Sequence, residues 1–135
     1  MTSQLMEYFN KQPRIGTIST AGKDGKVDVA VMGSPRMTDE RTVVLGSGAN
    51  RTLANLNENP HAVFMIVEPG AGLMDWKGVR VYMTLKDLVT SGPAFDGYVA
   101  QLPEVARSMI HSLATFEVTG VRPIVDMGQG WERSI

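Results

Sequence analysis

Cysteine is absent from the 135 residues, which removes disulfides, thiolate metal sites and cysteine nucleophiles together and makes a reducing cytoplasm the expected location. Neither sign of charge is in excess. Thirteen Lys and Arg stand against 14 Asp and Glu, a net charge of -1, so nothing draws the chain to nucleic acid or an anionic membrane. Small molecules or a second copy of the chain are the expected partners. No run approaches the roughly 18 uninterrupted apolar residues of a membrane helix. The segment Met1–Asn10 carries Glu7 and no basic cluster ahead of an apolar stretch, unlike a signal peptide. Only two histidines occur, His61 and His111, and neither stands in a metal-ligand spacing. Asp24, Asp28, Asp39 and Glu40 form no evident acid and base pair, and Ser19, Ser34 and Ser47 have no nucleophile-elbow context. Hydrolysis is therefore not indicated.

What is present is a single domain's length of short alternating segments. Ser3 caps a helix to Asn10 with Leu5, Met6 and Phe9 as its apolar stripe. Residues 14–20 and 27–33 alternate by twos across the turn signal Asp24-Gly25, an antiparallel hairpin. Thr38–Arg41 reads as a polar turn before a short third strand, 42–45. Asn50–Asn57 is a two-turn helix stopped by Asn59-Pro60. The apolar run 62–67 reads as a central strand covered on both faces. Residues 79–86 alternate cleanly, and the phase slip past Lys86-Asp87 predicts a bulge. Phe95, Tyr98, Val99 and Leu102 follow helical spacing, Pro103 opens another turn or two, and Ala114–Val121 closes the set. These segments predict a mostly β domain over 1–135: six antiparallel strands in a closed or partly closed barrel with two or three short helices. Nine methionines suit irregular core gaps.

Between the third strand and the short helix lies Gly46-Ser47-Gly48-Ala49-Asn50-Arg51-Thr52. Glycines let backbone amides approach an anion, a helix start adds unpaired amides, and Arg51 offers a bidentate cation with Asn50 and Thr52 as neutral donors. A plain turn with an asparagine cap and a solvated arginine explains the same residues. A Walker loop is excluded by the missing Gly-Lys pair. A dinucleotide fingerprint finds Gly46-x-Gly48 and Glu68 at suitable spacing, but Arg51 occupies the third glycine position and further strand-helix-strand units are lacking.

The strand order, together with Asn50-Arg51-Thr52-Leu53 and the following Asn59-Pro60-His61-Ala62-Val63, resembles the flavin-binding split barrels of the pyridoxamine 5'-phosphate oxidase family over roughly residues 10–121. The resemblance implies FMN as cofactor. Arg51 would take the phosphate beside Thr52, which stands where a lysine is frequent, with Asn50 and the amides of Gly46, Ser47 and Gly48 completing the grip. Backbone groups of Ala30, Val31, Met32 and Gly33 would line the ring. It further implies a homodimer with flavin at the interface, and Trp76 and Trp131 as candidates to cover a ring face. Three functions follow: a flavin-dependent oxidoreductase or flavin reductase with an unidentified small substrate, a non-catalytic FMN carrier or electron-transfer protein, or a haem-binding split barrel with His111 as axial ligand. A deazaflavin is an alternative to FMN. The larger oxidases carry an arginine and a lysine on the second strand, where this chain has Val27–Met32 with only Asp28 charged, so the named oxidase reaction is not the expected one.

Overall fold

The computed structural model describes residues 3–135, so Met1 and Thr2 of the segment read for a leader lie outside it. Ser3 is extended, and its hydroxyl accepts the Met6 N–H at 3.0 Å. That cap starts α1 (Gln4–Asn10), which buries Leu5 and Phe9. β1 (Ile15–Ala21) turns into β2 (Val27–Val31) through Asp24, whose carboxylate accepts the Lys26 N–H at 3.1 Å, and Gly25 at φ 82°. Positive φ there is why glycine occupies the turn.

Seven strands form, one more than the periodicity suggests. The extra one, β3 (Arg36–Asp39), pairs with β4 (Thr42–Ser47) through Arg36↔Val44 and Met37↔Val43. Its polar sequence hid it, because only Met37 faces inward, at 0% exposure, while Arg36, Thr38 and Asp39 face solvent. Its edge is sealed by Asn10, whose side-chain amide donates to the Met37 carbonyl at 2.9 Å and whose carbonyl accepts the Met37 N–H at 2.8 Å.

The remaining strands are β5 (His61–Glu68), β6 (Lys77–Val89) and β7 (Ser112–Arg122), giving one antiparallel sheet in the order β2-β1-β5-β6-β7-β4-β3. β2 and β3 are thus opposite ends of the sheet, yet only residues 32–35 separate them in the chain. That link reaches at most about 17 Å, so the sheet must curl until its ends meet. A barrel results, with one strand broken into β2 and β3 at Pro35, where a missing N–H and fixed φ interrupt pairing. The bulge read from sequence is present as a register shift between Leu85 and Asp87.

The barrel interior holds Phe9, Ile18, Met37, Leu45, Phe64 and Phe116, each at most 1% exposed, and each such burial stabilises by roughly 1.5–3 kcal/mol. The expectation that β5 is covered on both faces is corrected: Ala62, Phe64 and Ile66 are buried, whereas Val63, Met65 and Val67 are only half-buried. A single-layer barrel has one inside, so the second apolar face of a central strand looks outward.

Four α-helices occur among the described residues, against the two or three expected. α2 (Arg51–Leu56) lies against β1 and β2, with the buried Asn55 amide donating to Thr20 Oγ1 at 3.0 Å. Pro103 splits the last helical stretch into α3 (Pro93–Ala100) and α4 (Glu104–Arg107). In the α3 stripe of Phe95, Tyr98 and Val99 none is buried, and Tyr98 packs over Gly46 of β4.

Candidate functional site

The predicted residues fall at three places. The start of α2 is the first. Asn50 is its cap, accepting the Leu53 N–H at 2.9 Å while its NH₂ reaches Ser47 Oγ at 3.3 Å. Thr52 is buried and Arg51 is exposed. Among the described residues the Arg51 guanidinium has no hydrogen bond or ion pair, so it stands ready for an anion from outside the chain. It lines a hollow of about 250 Å³ between α2 and the β1–β2 turn, together with Lys26, Asp24, Asp28 and Glu58. A phosphate entering there meets two cations and three carboxylates, and is best accommodated toward Arg51 and the free amides of the first helical turn.

The glycine stretch is the second place. Gly46 and Ser47 belong to β4, extending it past Leu45. β3 ends short of Gly46, and its carbonyl instead accepts the Ser34 hydroxyl at 2.6 Å. A Cβ on Gly46 would lie 2.4 Å from the Tyr98 ring. This glycine therefore makes room for an aromatic. Ser47 is buried with its hydroxyl on the Gly48 carbonyl. Gly48 abuts the Met109 carbonyl.

The third is the break in the barrel. Ala30 and Val31 end β2, and the Met32 N–H still donates to Gly16 O at 3.0 Å. Gly33 is exposed, and among the described residues its N–H has no partner within the chain. Its carbonyl is held by Arg14 at 3.1 Å. The same guanidinium donates to the carbonyls of Phe9 and Pro35 and lies 5.2 and 5.1 Å from the Phe9 and Phe64 ring centroids. Burial lowers its pKa, and its Nε lacks a partner. Arg14 was not singled out from sequence because it sits at the foot of an ordinary strand. From Asp28 to Gly33 an extended chain covers about 16 Å, so the first and third places lie at opposite ends of one strand.

The other candidates are scattered. Trp76 precedes β6 and is 39% exposed, and Trp131 packs half-buried against the core of its own chain. His61 opens β5 on the surface. His111 is exposed, with Nδ1 on the buried Ser112 hydroxyl at 2.7 Å. No three or more metal-ligating side chains cluster among the described residues.

A strand-broken antiparallel barrel with a cation at the start of its crossover helix defines the split-barrel class. The sequence model for pyridoxamine 5'-phosphate oxidase matches residues 2–123, and the chain belongs to that family. No curated protein matches the sequence. The fold is similar to that of an FMN-binding protein from Syntrophomonas wolfei subsp. wolfei, at 23% identity over 93% of this chain and 86% of that one, with a TM-score of 0.76. It is also similar to HutZ, the haem storage protein from Vibrio cholerae, at 16% identity over 90% and 94% with a TM-score of 0.64. An F420 reductase gives 18% identity over 89% and 98%, also at 0.64.

Proposed function

We propose that the chain binds FMN and works as a flavin-dependent oxidoreductase or flavin reductase. The observation that carries this reading is the strand-long separation of two groups without protein partners, the Arg51 guanidinium and the Gly33 N–H. An extended flavin mononucleotide presents a dianion at one end and a hydrogen-bonding ring edge at the other. Arg51, with Thr52 and the first amides of α2, would hold the phosphate, and Ala30–Gly33 would lie along the ring. Asn50 serves by capping the helix, and Gly48 by keeping the turn narrow; Gly46 and Ser47 act behind this surface. When bound, the flavin supplies reversible acceptance of electrons or hydride, and the protein's share is placement and electrostatics.

The same reading includes a homodimer. Val27, Val29 and Val31 are 85, 63 and 79% exposed along one face of β2, and the register carries that face across Thr17 and Ser19 of β1 to the half-buried Met65 and Val63. Such a patch marks an interaction surface, and a second copy is the occupant the family suggests. A cytoplasmic location accords with the absence of cysteine. A non-catalytic carrier differs only in lacking turnover. The haem reading has one observation in its favour: His111 is exposed, and its Nδ1 contact with Ser112 leaves Nε2 as the nitrogen that would ligate.

The test is titration of the purified protein with FMN and riboflavin, followed by flavin fluorescence. Arg51→Ala should weaken FMN by about 10- to 100-fold, from the loss of a charged hydrogen-bonding partner, and leave riboflavin nearly unchanged. Equal losses for both ligands sink the phosphate assignment, and a Soret band with haemin in place of flavin binding moves the function to haem.

A further inference from the structure

A hollow larger than the one at Arg51 lies on another side of the barrel. A groove of about 740 Å³ runs between α3 and the β3–β4 hairpin, with Pro93, Ala94, Gly97 and Tyr98 along its α3 side. Met6, Val44, Leu102 and Leu113 make its walls, and Tyr98 stands over Gly46 at one side. Arg36 is the one charged residue among its lining, and no carboxylate faces it there. Among the described residues the Arg36 side chain has no hydrogen bond or ion pair. Gln101 and Thr38 add neutral hydrogen-bonding groups. An apolar cleft of this size with one unopposed cation is complementary to a ligand with an apolar body and a single anionic group.

We propose that this groove binds a small amphipathic organic anion, with Arg36 as its counter-charge. Binding there does not depend on flavin. Gly33 lines both this groove and the stretch proposed for the flavin ring, so, resting on that reading, the anion occupies the substrate position beside the ring edge.

The experiment uses the full chain labelled with ¹³C at methionine methyls, and two probes: 8-anilinonaphthalene-1-sulfonate and the uncharged N-phenyl-1-naphthylamine. The sulfonate should shift the Met6 signal and leave those of the exposed Met74 and Met127 in place. Arg36→Gln should weaken the sulfonate about tenfold or more and change the neutral probe less than about twofold. Gly97→Leu puts a side chain into the groove from a helical position where a Cβ meets nothing within 4 Å, and should abolish both while unfolding stays cooperative. Sulfonate binding that leaves Met6 unmoved, or that is indifferent to Arg36→Gln, overturns the proposal. Because no arm contains flavin, that result leaves the FMN reading standing, and loss of FMN binding in Arg51→Ala leaves this one standing.

Discussion

Truncating Arg14 to alanine tests how the barrel is held shut. The guanidinium joins the end of α1, through the Phe9 carbonyl, to both sides of the break, through Gly33 and Pro35. Two of these carbonyls are part-buried, and a hydrogen bond from a charged donor contributes about 1.5 kcal/mol at the low end. Two cation–π contacts add about 0.5–1 kcal/mol each. Against this, truncation relieves the desolvation of the cation and its unpaired Nε, worth about 1–2 kcal/mol. The net loss is about 3 kcal/mol, which at a urea slope of about 2 kcal/mol/M lowers the midpoint by about 1.5 M. Arg14→Lys should recover only part of it, since an ammonium cannot fork to three acceptors spread around a planar group. Urea unfolding followed by Trp fluorescence reads both. A midpoint shift below about 0.5 M for alanine, or full recovery by lysine, would refute the clasp.

Gly78 lies at φ 149°, and a Cβ there would sit 2.0 Å from the Ile66 carbonyl oxygen; Gly78→Ala should therefore cost more than about 3 kcal/mol, read as lost soluble yield or a depressed Tm. Tyr8 donates to the Glu68 carboxylate, and burial first, then that hydrogen bond and charge, raise its pKa above 10.0. Since the folded value is the higher, its contribution is complete below the unfolded value near 10 and is lost as pH rises above it, so Tyr8→Phe should flatten the alkaline fall in stability measured by thermal melts at increasing pH. Asp28 shares the hollow with Arg51, and Asp28→Asn should tighten FMN several-fold while leaving riboflavin unchanged, by the fluorescence titration; no change would place the phosphate elsewhere.

Local chemistry made much of this fold readable. The Asp24-Gly25 turn, the Ser3 and Asn50 caps and the alternation of residues 79–86 each carry their signal within a few residues, and the structure realises all of them. β3 was hidden because three of its four residues face water, so period two had one apolar residue to show. The site was legible where a residue is free and unreadable where neighbours distant in sequence compete. Arg51 was visible as a cation at a helix start. That Gly46 is covered by Tyr98, 52 positions on, and its carbonyl taken by Ser34, depends on tertiary packing that no local window contains. Arg14 and Arg36 likewise gain their roles from the curl that brings β2 and β3 together.

One physical cause links these features. A closed six-stranded wall would engage the backbone of residues 32–35 in ladder bonds; Pro35 prevents this, and the strand divides into β2 and β3. The division leaves polar groups that must be satisfied, and Arg14 takes two carbonyls from the break. It also ends β3 short of Gly46, where Ser34 takes the free carbonyl and Tyr98 of α3 packs over the glycine. The groove that Arg36 faces lies between this helix and the β3–β4 hairpin. The unpartnered Gly33 N–H and the 740 Å³ groove are therefore two consequences of the same break in pairing, and a substitution that restored a continuous strand there would remove the proposed ring edge and the proposed anion site together.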